Sequence, residues 1–81
     1  MTKKTKTADE LQAMVVALVR RNSEYSLVTP GKPYWHERDS EGCNWDLTSW
    51  TGKGLDVAEA ANEIASEVRL LRKKYDLEFP S

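Results

Sequence analysis

The amino-acid sequence predicts one α+β domain, a two-layer sandwich of order α-β-β-(β)-α with both helices on one face of a small antiparallel sheet. Two observations support this. Amphipathic helical patterns lie near both ends of the chain, and the segment between them carries short β-favouring runs separated by Pro and Gly. The 81 residues suffice for one domain. We expect a disordered basic tail over residues 1–6, the domain over 7–77, and a short tail over 78–81.

The first helix is predicted over residues 8–22. Thr7 and Glu10 fit a capping box, in which the Thr hydroxyl accepts from the Glu amide and the Glu carboxylate reaches back. Apolar residues then recur with helical spacing, at Leu11, Met14, Val15, Leu18 and Val19. Arginines follow in the last turn, where cations favour the negative end of the helix dipole.

Three segments between the helices favour strands, namely 25–29, 34–38 and 43–50. Proline cannot donate to a strand ladder, so Pro30 and Pro33 leave open whether the second segment forms a strand. The sequence therefore predicts either two or three strands.

The segment from Tyr34 to Trp50 holds all three tryptophans, the only histidine and the only cysteine. Tryptophan and tyrosine serve both cores and binding faces, because each combines a large apolar ring with a polar tip. Alternation places Cys43 and Trp45 on the inward face and Trp50 on the polar face. We therefore expect a binding surface on the outer face of the sheet, formed by Tyr34, His36, Trp50 and Lys53.

The second helix is predicted over residues 57–76, with Asp56 as its N-cap. One apolar stripe follows at spacings of three and four residues, through Val57, Ala61, Ile64, Val68, Leu71 and Tyr75. The helix is long for a short sheet, and Leu70 lies off the stripe. We therefore expect Leu70, Leu71 and Tyr75 to be partly exposed and available for self-association.

The run TGKGLDVAEAANEIA resembles the closing motif of double-stranded-RNA-binding domains, a glycine turn followed by an alanine-rich helix. The matching positions are Gly52, Gly54, Asp56, Ala60 and Ala65. The resemblance covers about a third of the chain and implies the same order of helices and strands.

The same resemblance implies lysines near the start of the second helix that contact phosphates. This chain has Val57, Ala58 and Ala61 at those positions, with Glu59 beside them. Because phosphate contacts dominate affinity for nucleic acid, we expect no RNA binding by this helix.

Composition limits the remaining classes of function. The net charge of −1 combines basic clusters near both ends with a mostly acidic middle, which is atypical of a nucleic-acid binder. A single cysteine excludes an intramolecular disulfide and indicates a reducing, cytoplasmic setting. No apolar run of membrane-spanning length occurs, so we expect no membrane association.

His36 is the candidate for chemistry. Some small toxin ribonucleases resemble the same architecture and use one strand histidine, although the context of His36 lacks their Gly-Ser-His-like pattern. Acid–base catalysis needs a second group within hydrogen-bond reach, which Arg38 or Lys53 could supply. Cys43 could form a nucleophile–base pair with His36, but free cysteine is usually a buried apolar residue. One Cys and one His fall short of a structural zinc site, so we expect no metal and no cofactor.

These observations lead to three hypotheses. The first is a non-catalytic module that binds a protein partner or a second copy of itself. The alternative is a weak nucleic-acid-binding module that uses Lys3, Lys4, Lys6 and Lys53 together with aromatic stacking. The second alternative is a small nuclease or hydrolase that uses His36.

Overall fold

The computed structural model describes residues 3–47 and 50–79. These described residues form two α-helices, α1 (Ala8–Arg20) and α2 (Gly54–Lys74). Within the same described residues, six strands of two or three residues accompany them: β1 (Lys4–Lys6), β2 (Thr29–Pro30), β3 (Tyr34–Trp35), β4 (Trp45–Asp46), β5 (Trp50–Thr51) and β6 (Tyr75–Leu77). The α+β class is confirmed, and α1 packs against β2 while α2 packs against β6.

The strands pair two by two. β2 pairs with β5 and β3 pairs with β4, both antiparallel, whereas β1 and β6 form a parallel ladder. The ladder aligns Lys4 with Tyr75 and Lys6 with Leu77. The predicted disordered tail over residues 1–6 is therefore wrong for residues 4–6, while residues 1–2 lie outside the described part of the chain. Lys-Thr-Lys has no apolar pattern, and its strand exists because β6 supplies backbone partners.

The prediction for α1 is confirmed, with its end at Arg20 instead of residue 22. The Glu10 amide donates to Thr7 Oγ1 at 3.1 Å, and the Thr7 amide donates to Glu10 Oε1 at 3.2 Å. The hydrogen bond from the Thr7 backbone lowers the pKa of Glu10. Leu11, Val15 and Val19 form the buried face.

α2 begins three residues before the predicted start. Lys53 is the N-cap and makes no side-chain capping bond, so the prediction that Asp56 is the N-cap is wrong. Asp56 lies inside the first turn, where its charge still favours the positive end of the helix dipole. The helix ends at Lys74, because Tyr75 turns to extended backbone and starts β6.

The three predicted strand segments are only partly strands. Tyr25 ends a 3-10 turn, Ser23–Tyr25, and the Arg20 guanidinium donates to the Tyr25 carbonyl at 3.0 Å. The turn and this hydrogen bond hold the start of segment 25–29 out of a strand. Within the segment only Thr29 belongs to a strand, β2. Segment 34–38 contributes the short β3, and segment 43–50 contributes β4 and the first residue of β5. Residues 48–49 of that last segment lie outside the described residues.

The core consists of two neighbouring clusters. The first joins the end of α1 to the start of α2 and contains Val15, Val19, Tyr25, Val28, Ala60 and Ile64. The second contains Leu11, Trp45 and Leu77, and Leu71 packs against both clusters. Trp45 is 0% exposed, and its Nε1 donates to the Tyr75 carbonyl at 2.9 Å. Within residues 3–47 and 50–79, no helix has the length and hydropathy needed to cross a membrane.

Candidate functional site

The structure separates the four residues of the predicted outer binding surface. Tyr34 and His36 lie together along β3 and the residue after it, with ring centroids 5.7 Å apart, and Tyr34 is 43% exposed. Trp50 instead belongs to the β2–β5 ladder and packs against the first core cluster. Lys53 is an exposed residue that precedes α2. The predicted surface is thus divided between two ladders and the start of α2.

His36 has a local hydrogen bond. Its Nδ1 lies 2.6 Å from the Glu37 carbonyl, and a carbonyl only accepts, so Nδ1 carries the proton in this contact. Arg38, one of the two groups that could assist His36, donates to Asp76. Cys43 is fully buried, and its thiol points to the Glu41 carbonyl at 3.9 Å. Among the described residues, no three His, Cys, Asp or Glu side chains lie together where they could hold a metal ion.

A polar cluster joins three distant parts of the chain, and we name its members Lys3, Arg38, Asn44 and Asp76 the Asp76 cluster. Arg38 binds the Asp76 carboxylate in a bidentate manner, at 2.9 and 2.7 Å. Lys3 Nζ donates to the Gly42 carbonyl at 2.7 Å and lies 3.8 Å from Asp76 Oδ1. The hydrogen bonds from Arg38 lower the pKa of Asp76 despite the opposing effect of burial.

The Asn44 side chain makes two hydrogen bonds with the backbone of β6, as a neighbouring strand would. Its Nδ2 donates to the Leu77 carbonyl at 3.1 Å, and the Leu77 amide donates to Asn44 Oδ1 at 2.9 Å. Across the described residues, every buried side-chain nitrogen and oxygen atom has a hydrogen-bond partner. The Asp76 cluster therefore stabilises the fold, since its buried polar groups are satisfied within the chain.

Arg72 connects α2 to the loop before β4. Its Nε donates to the Trp45 carbonyl at 2.8 Å, and its terminal nitrogen donates to Asp39 Oδ2, also at 2.8 Å. Asp39 Oδ1 accepts from the amides of Cys43 and Glu41. These backbone bonds, the one from Cys43 first, lower the pKa of Asp39, and Arg72 adds to the effect. This face of α2 is thus occupied by contacts within the chain.

A different face of the same helix end borders an open apolar cavity of about 540 Å³. We name it the α1–α2 groove, and it is lined by Leu18, Glu67, Leu70, Leu71, Lys73 and Lys74. Leu70 is 65% exposed, whereas Leu71 is half-buried and packs against both core clusters. Glu67 also forms an ion pair with Arg21, the residue that follows α1.

The three predicted self-association residues therefore have different positions. Leu70 and Leu71 both line the groove. Tyr75 enters β6 and packs against the second core cluster, and its ring centroid lies 5.4 Å from Lys6 Nζ and 5.6 Å from Lys74 Nζ. Four groove residues were not singled out as site residues from the sequence, namely Leu18, Glu67, Lys73 and Lys74. Leu18 belonged to the regular stripe of α1, and Glu67 was one of several acids.

A second open cavity, of about 470 Å³, lies beside β3 and β6. Phe79 packs edge-on against Trp35 there, with ring centroids 4.6 Å apart. The predicted C-terminal tail over residues 78–81 thus contributes an aromatic contact at Phe79, while residues 80–81 lie outside the described part. The chain's own C-terminal segment already contacts this aromatic cavity.

The glycine turn that resembles double-stranded-RNA-binding domains has a steric reason in this fold. Gly52 has φ of +136°, and a Cβ there would lie 3.3 Å from the Leu27 carbonyl and from Val57 Cγ2. The order of helix, strands and helix agrees with the resemblance, and the parallel β1–β6 ladder is an addition to it. Comparisons of the chain with protein-family models, with curated proteins and with solved structures found no match.

Proposed function

We propose that this chain is a non-catalytic protein-interaction module whose contact surface is the α1–α2 groove. The observation that carries the proposal is the position of Leu70, 65% exposed at the edge of an apolar cavity. Burial of such a side chain by a partner is favourable by about 1.5–3 kcal/mol. A concave apolar floor beside an exposed leucine is the arrangement in which an anchor residue of a partner packs well.

The rim of the groove adds specificity to this apolar contact. Glu67 lies at one end and Lys73 and Lys74 lie at the other. Charged rims steer association and disfavour partners of the wrong charge pattern. A suitable partner presents apolar side chains flanked by both an acidic and a basic group.

A photo-crosslinking amino acid at position 70 tests this proposal in cells that produce the chain. Position 27 is the matched control, because Leu27 is also an exposed leucine, at 83%, and lies outside the groove. We expect discrete protein adducts from position 70 and none from position 27. Equal adducts at both positions, or none at position 70, would contradict the proposal.

A second candidate function is binding of single-stranded nucleic acid at the surface where β1 lies beside the end of α2. The parallel ladder brings Lys4 and Lys6 of β1 beside Tyr75, where Lys73 and Lys74 end α2. Amines around an aromatic ring suit a phosphate backbone and a stacked base. Titration of a labelled oligonucleotide at low salt tests it. Lys4→Gln with Lys6→Gln should weaken binding more than Lys53→Gln, and equal effects would contradict this candidate.

A further inference from the structure

We infer that the occupant of the α1–α2 groove is a second copy of this chain, with the two α2 helices antiparallel about a twofold axis near Leu70. The inference rests on the proposed function, because it names the partner of that same groove. A twofold contact requires a self-complementary surface. When one residue contacts a second residue on the other copy, the symmetry repeats the same contact with the two copies exchanged. The groove has such a surface.

The charges along the groove provide the self-complementarity. Glu67 precedes Leu70 by about one helical turn and Lys74 follows it by about one turn, and all three line the groove. An antiparallel pair centred near Leu70 places Glu67 of one copy opposite Lys74 of the other, and the symmetry repeats this contact. A parallel pair would place like charges opposite each other, which is unfavourable.

The apolar part of the same surface agrees with this axis. In the antiparallel arrangement the two Leu70 side chains meet near the twofold and cover the groove floor at Leu18 and Leu71. The wider charge gradient of α2, with Asp56 in the first turn and bases in the last, has the same antiparallel complementarity. That gradient also stabilises an isolated helix through its dipole. The exposed leucine between an acid and a base is therefore what points to a second copy.

Sedimentation velocity from micromolar to near-millimolar protein tests the partner. The wild-type chain should show a concentration-dependent shift from monomer to dimer. Leu70→Glu places a charge in the contact twice, so the dissociation constant should rise roughly a hundredfold or more. Leu27→Glu makes the same exchange at another exposed leucine and should sediment like the wild type.

A charge exchange tests the antiparallel geometry. Glu67→Lys alone and Lys74→Glu alone each replace two attractions by two repulsions, so each should raise the dissociation constant about tenfold. An equimolar mixture of the two variants restores both opposite-charge contacts and should dimerise as tightly as the wild type. A mixture that associates no better than either variant overturns the antiparallel arrangement. The exposed Arg21–Glu67 ion pair contributes little to folding, so Glu67→Lys should stay folded.

The outcomes separate this inference from the proposed function. A wild-type chain that stays monomeric throughout, while position 70 crosslinks to a different protein, overturns the second copy and leaves the groove as the contact surface. A monomer with no crosslink at position 70 overturns both. Circular dichroism of each variant establishes that loss of association reflects the surface and not the fold.

Discussion

Two faces of the last turns of α2 differ in how they are covered. On one face, Arg72 donates to the Trp45 carbonyl and to Asp39, and its side chain is only 14% exposed. On the other, Leu70 is exposed beside the half-buried Leu71 in the α1–α2 groove. On the first face, contacts within the chain hold Arg72 in place and contribute to stability. The second is open, and we propose it as the binding surface.

The contacts of Arg72 matter because the described part of the chain has little regular sheet. Each strand has two or three residues within 3–47 and 50–79, so side chains replace many of the contacts that a larger sheet would make. Arg38 and Asp76 lie far apart in the sequence and meet in a bidentate pair, and Asn44 replaces a strand beside β6. A chain of this size buries only about 60% of its unfolded surface, so such polar contacts form a substantial part of its stability.

The largest expected effect is at Trp45, whose carbonyl accepts a hydrogen bond from Arg72. Trp45→Ala deletes a fully buried ring and its hydrogen bond to Tyr75, so the free energy of unfolding should fall by about 3–5 kcal/mol. Urea denaturation followed by circular dichroism measures the change. A loss of less than about 1 kcal/mol would contradict the assignment of Trp45 to the core, since it would lie far below the usual cost of such a deletion.

The next effect concerns the Asp76 cluster. Asp76→Asn leaves Arg38 and Lys3 without their carboxylate, so we expect a loss of about 1–3 kcal/mol at neutral pH. The pKa of Asp76 is lowered in the folded state, so this stabilisation is present above the ordinary carboxyl pKa of about 4. It is lost as the pH falls through the folded value.

The difference in unfolding free energy between the wild type and Asp76→Asn should therefore narrow as the pH falls below about 4. Denaturant titrations at several pH values measure it. Asp9→Asn is the matched control, because Asp9 pairs with Lys32 at an exposed position and should change stability little. A difference that stays constant into strong acid would contradict the role of the Asp76 carboxylate.

The smallest expected effect is at Leu70 in the α1–α2 groove. Leu70→Glu should change the unfolding free energy by no more than about 0.5 kcal/mol at a concentration where the chain is monomeric. Leu71→Glu differs by one position and places a charge between the two core clusters, so it should destabilise strongly. Paired denaturation curves compare them. Similar losses for both variants would show that Leu70 also belongs to the core.

The sequence predicted local features of this fold well and distant contacts poorly. The α1 stripe and the Thr7–Glu10 capping box depend on neighbouring residues, and both are present. β1 could not be predicted, because Lys-Thr-Lys becomes a strand only through pairing with Tyr75–Leu77 at the other end of the chain. The Arg38–Asp76 pair likewise joins segments that no local pattern connects.

The candidate groove was predictable in part. Leu70 stood out because it lies off the apolar stripe of α2, and the structure leaves it exposed. Leu18 gave no such signal, because its spacing fits the stripe of α1 and only the packing of α1 against α2 makes it the groove floor. Trp50 was expected on a polar outer face, yet it packs against the first core cluster.

The measurement that tests the division between the two faces most directly is sedimentation velocity of the wild type, Leu70→Glu and Asp76→Asn at equal concentrations where each is folded. We expect the wild type and Asp76→Asn to associate alike, although Asp76→Asn is less stable, and Leu70→Glu to remain monomeric. If Leu70→Glu sediments like the wild type, or Asp76→Asn alone loses association, the α1–α2 groove is not the contact surface.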